Sequence, residues 1–388
     1  MKKGFFSIFK KEVITIFTTP RLLLLILGVP VLMSFYYASL MDEGVPRDLP
    51  VVLLDQDKTK LSRQLGLMLD ATPSMKIAFE AAGELEGQKS VRRGDVFAMI
   101  IIPKDFQKNI QKGIYSNVTC YYNGDYLLPA GLIYKDFQTA AGTFAAGARL
   151  KTLQQGGLTT PEAMATISPV KTDVHVLFNP YTSYSYYLNL SFMPMTFQIV
   201  IMVVSIYAFG SVLKYRQGRE LFNQANGSII TAIFAKILPY TLLFLIVGIF
   251  MNTLLFYRIN IPFKGNFFGL NLFFLSFILI CQSMALFLAS VMSSLRTALT
   301  IGGSYAALAF SFAGYTFPPE GLSTFTQYFS YIFPFTSYMR FTVNYAIRGI
   351  TFNSEQLHYM IALTVFACIG VIGILLYNKK LQKGGYDI

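Results

Sequence analysis

Six stretches of the chain run for roughly 20 residues or more almost without charge, the length a helix needs to cross a bilayer. They are Leu22 to Leu40, Tyr187 to Leu213, Ile229 to Tyr257, Phe267 to Ser294, Thr297 to Phe317 and Tyr359 to Tyr377. A charge at mid-span costs about 2.5–3.5 kcal/mol on insertion scales, so each uncharged run predicts a transmembrane helix. Only the third carries a charge, Lys236, close enough to its start for the ammonium to snorkel to the interface. The first run exceeds a normal signal-peptide core and no small-residue cleavage site follows it, so it reads as a retained anchor.

Residues 42–185, between the first two runs, have a different pattern. PVVLLD (50–55) and VFAMIII (96–102) are short apolar runs bounded by breakers and predict buried strands, with weaker candidates in SNVTCYYNG and VKTDVHVLF. Leu61, Leu65, Met68 and Leu69 recur at helical spacing, and a second helical stretch runs from about Leu132 to Gln155. The expected fold is therefore an all-α six-span bundle with an α/β domain inserted after the first span. Residues 318–357 are aromatic but broken by Pro318, Pro319 and Pro334, which predicts short interfacial helices. Residues 1–21 place Phe5, Phe6, Phe9, Val13 and Ile16 near one helix face beside lysines, predicting another interfacial helix.

Charge supplies an orientation. The 388 residues are 54% hydrophobic and 13% charged, with a formal net charge of +12. Residues 42–185 hold 15 acidic and 15 basic side chains, so the whole excess belongs to the apolar part and signals topology instead of nucleic acid. With both termini inside, 13 basic residues fall in the inner segments, including Lys10, Lys11, Arg21, Lys214, Arg216, Arg219, Arg296 and Lys380. Outside the inserted domain, the outer connections hold only Arg258, Lys264, Arg340 and Arg348. The positive-inside rule then gives a multi-pass inner-membrane protein with a periplasmic domain at 42–185, five spans within 187–377, a cytoplasmic turn at 214–228 and a tail at 378–388. Cys120 is the single cysteine of the inserted domain, which excludes a disulfide within it.

Several chemistries are excluded. No phosphate-binding Walker sequence occurs, and the inner segments are too short for a nucleotide-hydrolysing domain, so the chain is not an ATPase. His175 and His358 lie far apart without companions, and no metal or other cofactor is expected in this chain. The six runs contain no Asp or Glu, against the habit of ion-driven carriers. Small residues recur four apart at Ala285, Ala289 and Ser293 and at Gly303, Ala307 and Ser311, spacing that suits packing within the bundle or a dimer seam. Phe192, Met195, Met202, Phe310, Phe312 and Tyr315 crowd the second and fifth runs, facing lipid, other helices or a translocation path.

One span, a large outer domain, five spans and a basic turn after the second resemble the permease subunits of type 2 ABC exporters, in the drug-exporter branch. The likeness rests on KKEVITIFTTPRLLLLILGVPVLM (10–33), DLPVVLLDQDKTKLSRQL (48–65), RRGDVFAMIIIPKDFQKNIQKG (92–113), AKILPY (235–240) and FPFTSYMRFTVNYAIRG (333–349). The turn RQGRELFNQANG (216–227) departs from relatives with a glutamate before the glycine and a threonine after it. The resemblance implies two permeases, identical or paralogous, bound to separate ATP-binding subunits that hold ATP and magnesium, often with a periplasmic adaptor protein. It also implies a coupling helix with Arg216, Gly218, Arg219, Glu220, Leu221 and Phe222 at the ATPase, aided by Lys10, Lys11 and Glu12. The expected function is export of an amphipathic or hydrophobic substrate; a receptor or assembly anchor acting through the outer domain is the alternative.

Overall fold

The computed structural model describes residues 4–40, 42, 44–170, 173–180, 182–315, 317–350 and 354–386. Lys2, Lys3 and Asp387 of the charge count, Lys171 and Thr172 of the last strand candidate, and Thr316 of the fifth run lie outside the described residues. The chain is mostly helical and divides into two compact units, Met1–Gly44 with Val176–Ile388, and Val45–His175.

Helix α1 (Phe5–Thr18) ends at the extended Thr19, and α2 (Pro20–Leu40) resumes with proline in its first turn, where the missing N–H breaks no bond. A proline after an extended residue sets a corner between the two helices. The buried line of α1 is Ile8, Glu12 and Ile16, while Phe6 and Phe17 are exposed. The four-residue spacing of the two isoleucines and the glutamate gives α1 one face that packs on the bundle.

In the Val45–His175 unit, β1 (Leu49–Asp55) leads into α3 (Lys60–Asp70) and β2 (Met75–Glu80), then α4 (Glu84–Arg93) and β3 (Ala98–Ile102). α5 (Phe106–Gln111), β4 (Thr119–Tyr122), α6 (Leu127–Gln155) and α7 (Thr160–Ile167) follow. The sheet order is β2-β1-β3-β4, with β1 parallel to β2 and β3, and β4 antiparallel to β3. The near-continuous apolar runs of β1 and β3 are those of central strands covered on both faces. Val51, Leu53 and Ile100 pack with α3 and α6, whereas Val52, Leu54 and Met99 fill the other face. There α4 comes close: a Cβ on Gly87 would lie 2.4 Å from Met99 Sδ.

The loop after β1 fastens this layer. Asp55 accepts hydrogen bonds from the backbone N–H of Asp57 and Lys58, both 3.0 Å, and from Ser62 Oγ at 2.6 Å. Asp57 in turn accepts from the N–H groups of Phe106 (3.1 Å) and Gln107 (3.0 Å), the otherwise unpaired donors at the start of α5. β2 was not anticipated, since MKIAFE alternates polar and apolar residues over only one short edge strand; no strand forms across 173–178.

The larger unit continues with α8 (Tyr184–Lys214), α9 (Gly218–Gln224), α10 (Ile229–Arg258), α11 (Phe267–Val291) and α12 (Leu295–Phe312). After a 3-10 turn at Pro319–Gly321 come α13 (Thr324–Ser330), α14 (Pro334–Thr342) with a π-turn at Val343–Arg348, and α15 (Ser354–Gln382). Among the described residues five helices, α2, α8, α10, α11 and α15, are long and apolar enough to cross a membrane. The fifth expected span is α12, which holds 18 residues, about 27 Å at 1.5 Å per residue, and includes Arg296, Gly302 and Gly303. It is long enough but falls short on composition, so five of the six expected spans meet that criterion among the described residues. α12 nevertheless runs along α8: Leu295 abuts Gly210, Gly302 abuts Ile206, and Tyr315 stacks on Tyr187 at 4.7 Å.

α8 is the most enclosed of these helices and α2 and α15 the least. In α14 Phe335, Tyr338 and Phe341 are buried, Tyr338 stacking on Phe277 at 4.2 Å and Phe341 lying 4.0 Å from Phe273. Phe325 and Tyr328 of α13 are exposed. Beyond α15 the chain turns back through Gly384 (φ +96°) and Gly385 (φ +110°), so that Tyr386 is buried and donates to the Ala289 carbonyl at 2.9 Å.

Asp57→Ala removes three acceptor contacts at once, those to the Phe106 and Gln107 N–H groups and one from Thr59 Oγ1, and a net loss of about 1–3 kcal/mol is expected for the donors left unpaired. Hydrogen exchange of the Phe106 and Gln107 amides in the full chain is expected to speed up at least tenfold, with α8 unaffected.

Candidate coupling site

At one end of the bundle α1 crosses α9 and the first turns of α10. The crossing is held by opposite charges at two depths. Lys236 Nζ lies 2.6 Å from Glu12 Oε1, with the two side chains only 7% and 10% exposed, and Tyr240 donates to Glu12 Oε2 at 3.2 Å. Lys11 Nζ lies 2.9 Å from Glu220 Oε1, with both side chains about half exposed. Gln224 also donates to Glu220 at 3.0 Å, and the Gly4 N–H donates to the Gln224 carbonyl at 2.8 Å.

The two pairs contribute differently. An exposed pair stabilises by about 0–1 kcal/mol, whereas removing one partner of a buried pair costs about 3–5 kcal/mol, because the remaining charge loses its compensation. The inner pair therefore fixes α1 to α10, and the outer pair lightly registers α1 against α9. Between these contacts lies a polar cavity of about 250 Å³, bounded by Ile8, Thr15, Tyr207, Ser211 and Leu221 as well as the charged groups.

These contacts correct two expectations. Lys236 is paired instead of snorkelling, and Glu12, named with Lys10 and Lys11 for the ATPase contact, is turned into the bundle. One sequence signal could have revealed the pair: Lys236 is the only charge in its run, and Glu12 is the only acidic residue before residue 42. Two solitary opposite charges on apolar faces have each other as the cheapest way to be buried.

α9 is anchored from inside. Its Leu221 and Gln224 are buried, and a Cβ on Gly218 would lie 2.6 Å from Leu381 Cδ2 of α15, so a larger residue would push the two helices apart. Arg216, in the left-handed region at φ +55°, turns the chain from α8 into α9. Leu221 thus completes the chain's own core, and Phe222 is half-buried near Gly227. What α9 leaves in the open is polar, Arg219, Glu220 and Asn223, and Arg216 is exposed in the turn before it.

The remaining candidates lie elsewhere in this unit. Phe192 and Phe310 sit 5.1 Å apart, Tyr315 stacks on Tyr187, and Phe312 stacks on Phe333 at 5.3 Å, an aromatic ladder along α8 and α12. Met195 is half-buried on α8, and Met202 is fully buried and outside the ladder. On α12 the buried small face is Gly302, Ala306 and Ala309. Ala307 and Ser311 are exposed and Gly303 half-buried, so this face looks outward; Ala285 and Ala289 are buried.

A chain with five apolar helices of spanning length, an amphipathic helix pinned beneath them and a short anchored helix with a polar outer face is a multi-pass membrane protein of the transporter-subunit type. The profile of the ABC-2 family transporter proteins matches residues 20–377, and the chain belongs to that family. It is also similar to the linearmycin resistance permease protein LnrN of Bacillus subtilis (strain 168), 25% identical over 132 residues. That match covers 34% of each chain, so this chain spans about a third of the length of that relative.

The inner pair is testable without any transport assay. Lys236→Met and Glu12→Leu are each expected to destabilise the purified protein by about 3–5 kcal/mol, and the double variant to recover most of the loss. Thermal unfolding followed by circular dichroism supplies the double-mutant cycle; strictly additive losses would contradict the pairing.

Proposed function

We propose that this chain is the membrane-spanning permease subunit of an ATP-driven exporter, moving an amphipathic or hydrophobic substrate outward by alternating access while a separate ATP-binding subunit hydrolyses ATP with magnesium. Family membership supports a permease, and the observation that carries the coupling role is α9, a short helix with a buried, anchored face and an open polar one. A helix that served only as a topogenic turn would need neither the Glu220 contacts to α1 nor the close seat of Gly218 on α15. Movement of α9 by a docked ATPase would pass through Lys11 to α1, and from Glu12 to α10. The linearmycin resistance permease that the chain partly matches favours a harmful substrate.

The orientation we propose has both termini in the cytoplasm of a bacterial inner membrane and Val45–His175 in the periplasm, with α12 as a sixth, short span beside α8. Basic residues support it: Lys11, Arg219, Lys236 and Lys380 lie on elements that touch one another at the α9 end. The outward face of Gly303, Ala307 and Ser311 suits close approach by a second permease, identical or paralogous. The ladder of Phe192, Phe310, Phe312 and Tyr315, with Met195 and Met202 on the same helix as Phe192, belongs in this reading to the translocation path. A periplasmic adaptor would engage the outer unit.

Orientation is read by impermeant maleimide on intact cells. In a background without Cys281 and Cys368, Asp125→Cys is expected to label and Lys383→Cys to stay unlabelled. Native Cys120 is expected to stay silent at neutral pH in either orientation, because burial pushes its thiol up to about 12 and leaves little thiolate.

Coupling is read in everted vesicles holding the chain and its ATPase. Accumulation of substrate is expected to persist with ATP and an uncoupler, and to fall at least fivefold in Glu220→Lys. Restoration by Lys11→Glu with Glu220→Lys would locate the role in the α1–α9 link, whereas continued loss would locate it at the ATPase surface. Wild-type export by Glu220→Lys would overturn the coupling role.

A further inference from the structure

The last turn of α15 and the residues after it meet the ends of three other helices. α11 stops at Val291, Met292 is extended, and Ser294 caps α12 by accepting from the Thr297 N–H at 3.2 Å. The last carbonyls of a helix have no partner inside it. At the end of α11 they are taken by distant side chains: Lys380 Nζ donates to the Ser290 carbonyl at 3.1 Å and to that of Met292, and Tyr386 donates to the Ala289 carbonyl. The Lys380 ammonium also lies 4.6 Å from the centre of the Tyr386 ring. A cation here complements the negative end of the helix dipole, so the two side chains form one cap on a terminus whose Ala289 and Ser290 are buried.

The same segment touches α8 and α9. Tyr377 donates to the Phe209 carbonyl at 2.9 Å, and the Tyr386 N–H donates to the Leu213 carbonyl at 3.4 Å, one residue before α8 ends. Leu381, next to Lys380, is the residue on which Gly218 of α9 is seated, with no room between them for a side chain. Close-packed interiors compress little and transmit strain, so Leu381 cannot stay still when α9 moves. Its neighbours Lys380 and Tyr386 are the groups bonded to α11.

Beyond the cap, only Met292, Ser293 and Ser294 separate α11 from α12. A shift at the end of one helix is thus delivered to the start of the other. Leu295 there abuts Gly210 of α8, and further along α12 lies the outward face of Gly303, Ala307 and Ser311. The Lys11 and Glu12 contacts lead from α9 to α1 and α10, and reach neither α11 nor α12.

We propose that Lys380 and Tyr386 are positioning residues that carry movement of α9 to the α11–α12 corner, a second output of the coupling helix beside the one through α1. The link rests on the coupling role of α9, which the experiment reads separately.

The complex of the full chain with its ATPase subunit is compared by hydrogen exchange in two states, nucleotide-free and trapped with magnesium, ATP and vanadate. In the wild type, peptides spanning 218–225 and 289–297 are both expected to change exchange rate by about threefold or more between the states. Tyr386→Phe keeps the ring and removes one hydroxyl, and Lys380→Met removes the ammonium. Each is expected to keep the response at 218–225 and to lose most of that at 289–297, and Lys380→Arg, whose guanidinium reaches the same carbonyls, is expected to retain both. A cap that only stabilised the corner would raise exchange at 289–297 in both states of the variants and leave the nucleotide-dependent change intact; that result would overturn the link. So would a corner that stays silent in the wild type while α9 responds. No response at 218–225 in the wild type would overturn the coupling role of α9, and this link with it.

Discussion

The buried contact between Glu12 and Lys236 constrains more of this molecule than any other single interaction. A carboxylate and an ammonium taken out of water are tolerable only together, at short range and with further hydrogen bonds, which Tyr240 supplies on the carboxylate side. The consequence is geometric. α1 must lie where Glu12 can reach one turn of α10, the corner at Thr19–Pro20 must carry the chain from there into α2, and α9 is then close enough for Lys11 to meet Glu220. A lysine that looks like a tolerated blemish in an apolar helix is what orients three elements.

The same contact changes the meaning of a sequence argument. The absence of Asp and Glu from the apolar runs speaks against an ion-driven carrier, and that count is unaltered. A carboxylate nevertheless lies buried against one of those runs, delivered by a helix outside them. It is compensated by a lysine and a tyrosine and is not left open to a coupling ion, so the physical argument survives on the partners of Glu12 and not on composition alone.

Legibility followed the range of the interactions. The apolar runs were long enough to announce five spanning helices, and PVVLLD, VFAMIII and the Leu61–Leu69 spacing located β1, β3 and α3 within a residue or two. What could not be read locally was everything decided by partners. The β2 edge is too short and polar to stand out, and the burial of α14 was not visible because the pocket that receives Tyr338 and Phe341 is built from distant α11. The coupling stretch was visible as a basic turn with an apolar pair, but only the fold shows Leu221 turned inward and the polar residues left outside. On α12 the two four-residue registers, Gly302–Ala306 and Gly303–Ala307, differ by one position, and spacing alone does not say which is buried.

The larger unit also closes on itself where the smaller one is inserted. Gly44 and Tyr184 are joined by a backbone hydrogen bond of 2.7 Å, and Asn179 and Ser183 fold the returning chain into place with bonds of 2.8 and 2.9 Å. The chain thus leaves the helices and comes back to them at a single clasp. Seen as inheritance, this makes Val45–His175 a cassette: any exchange of the segment between relatives would have to keep the clasp.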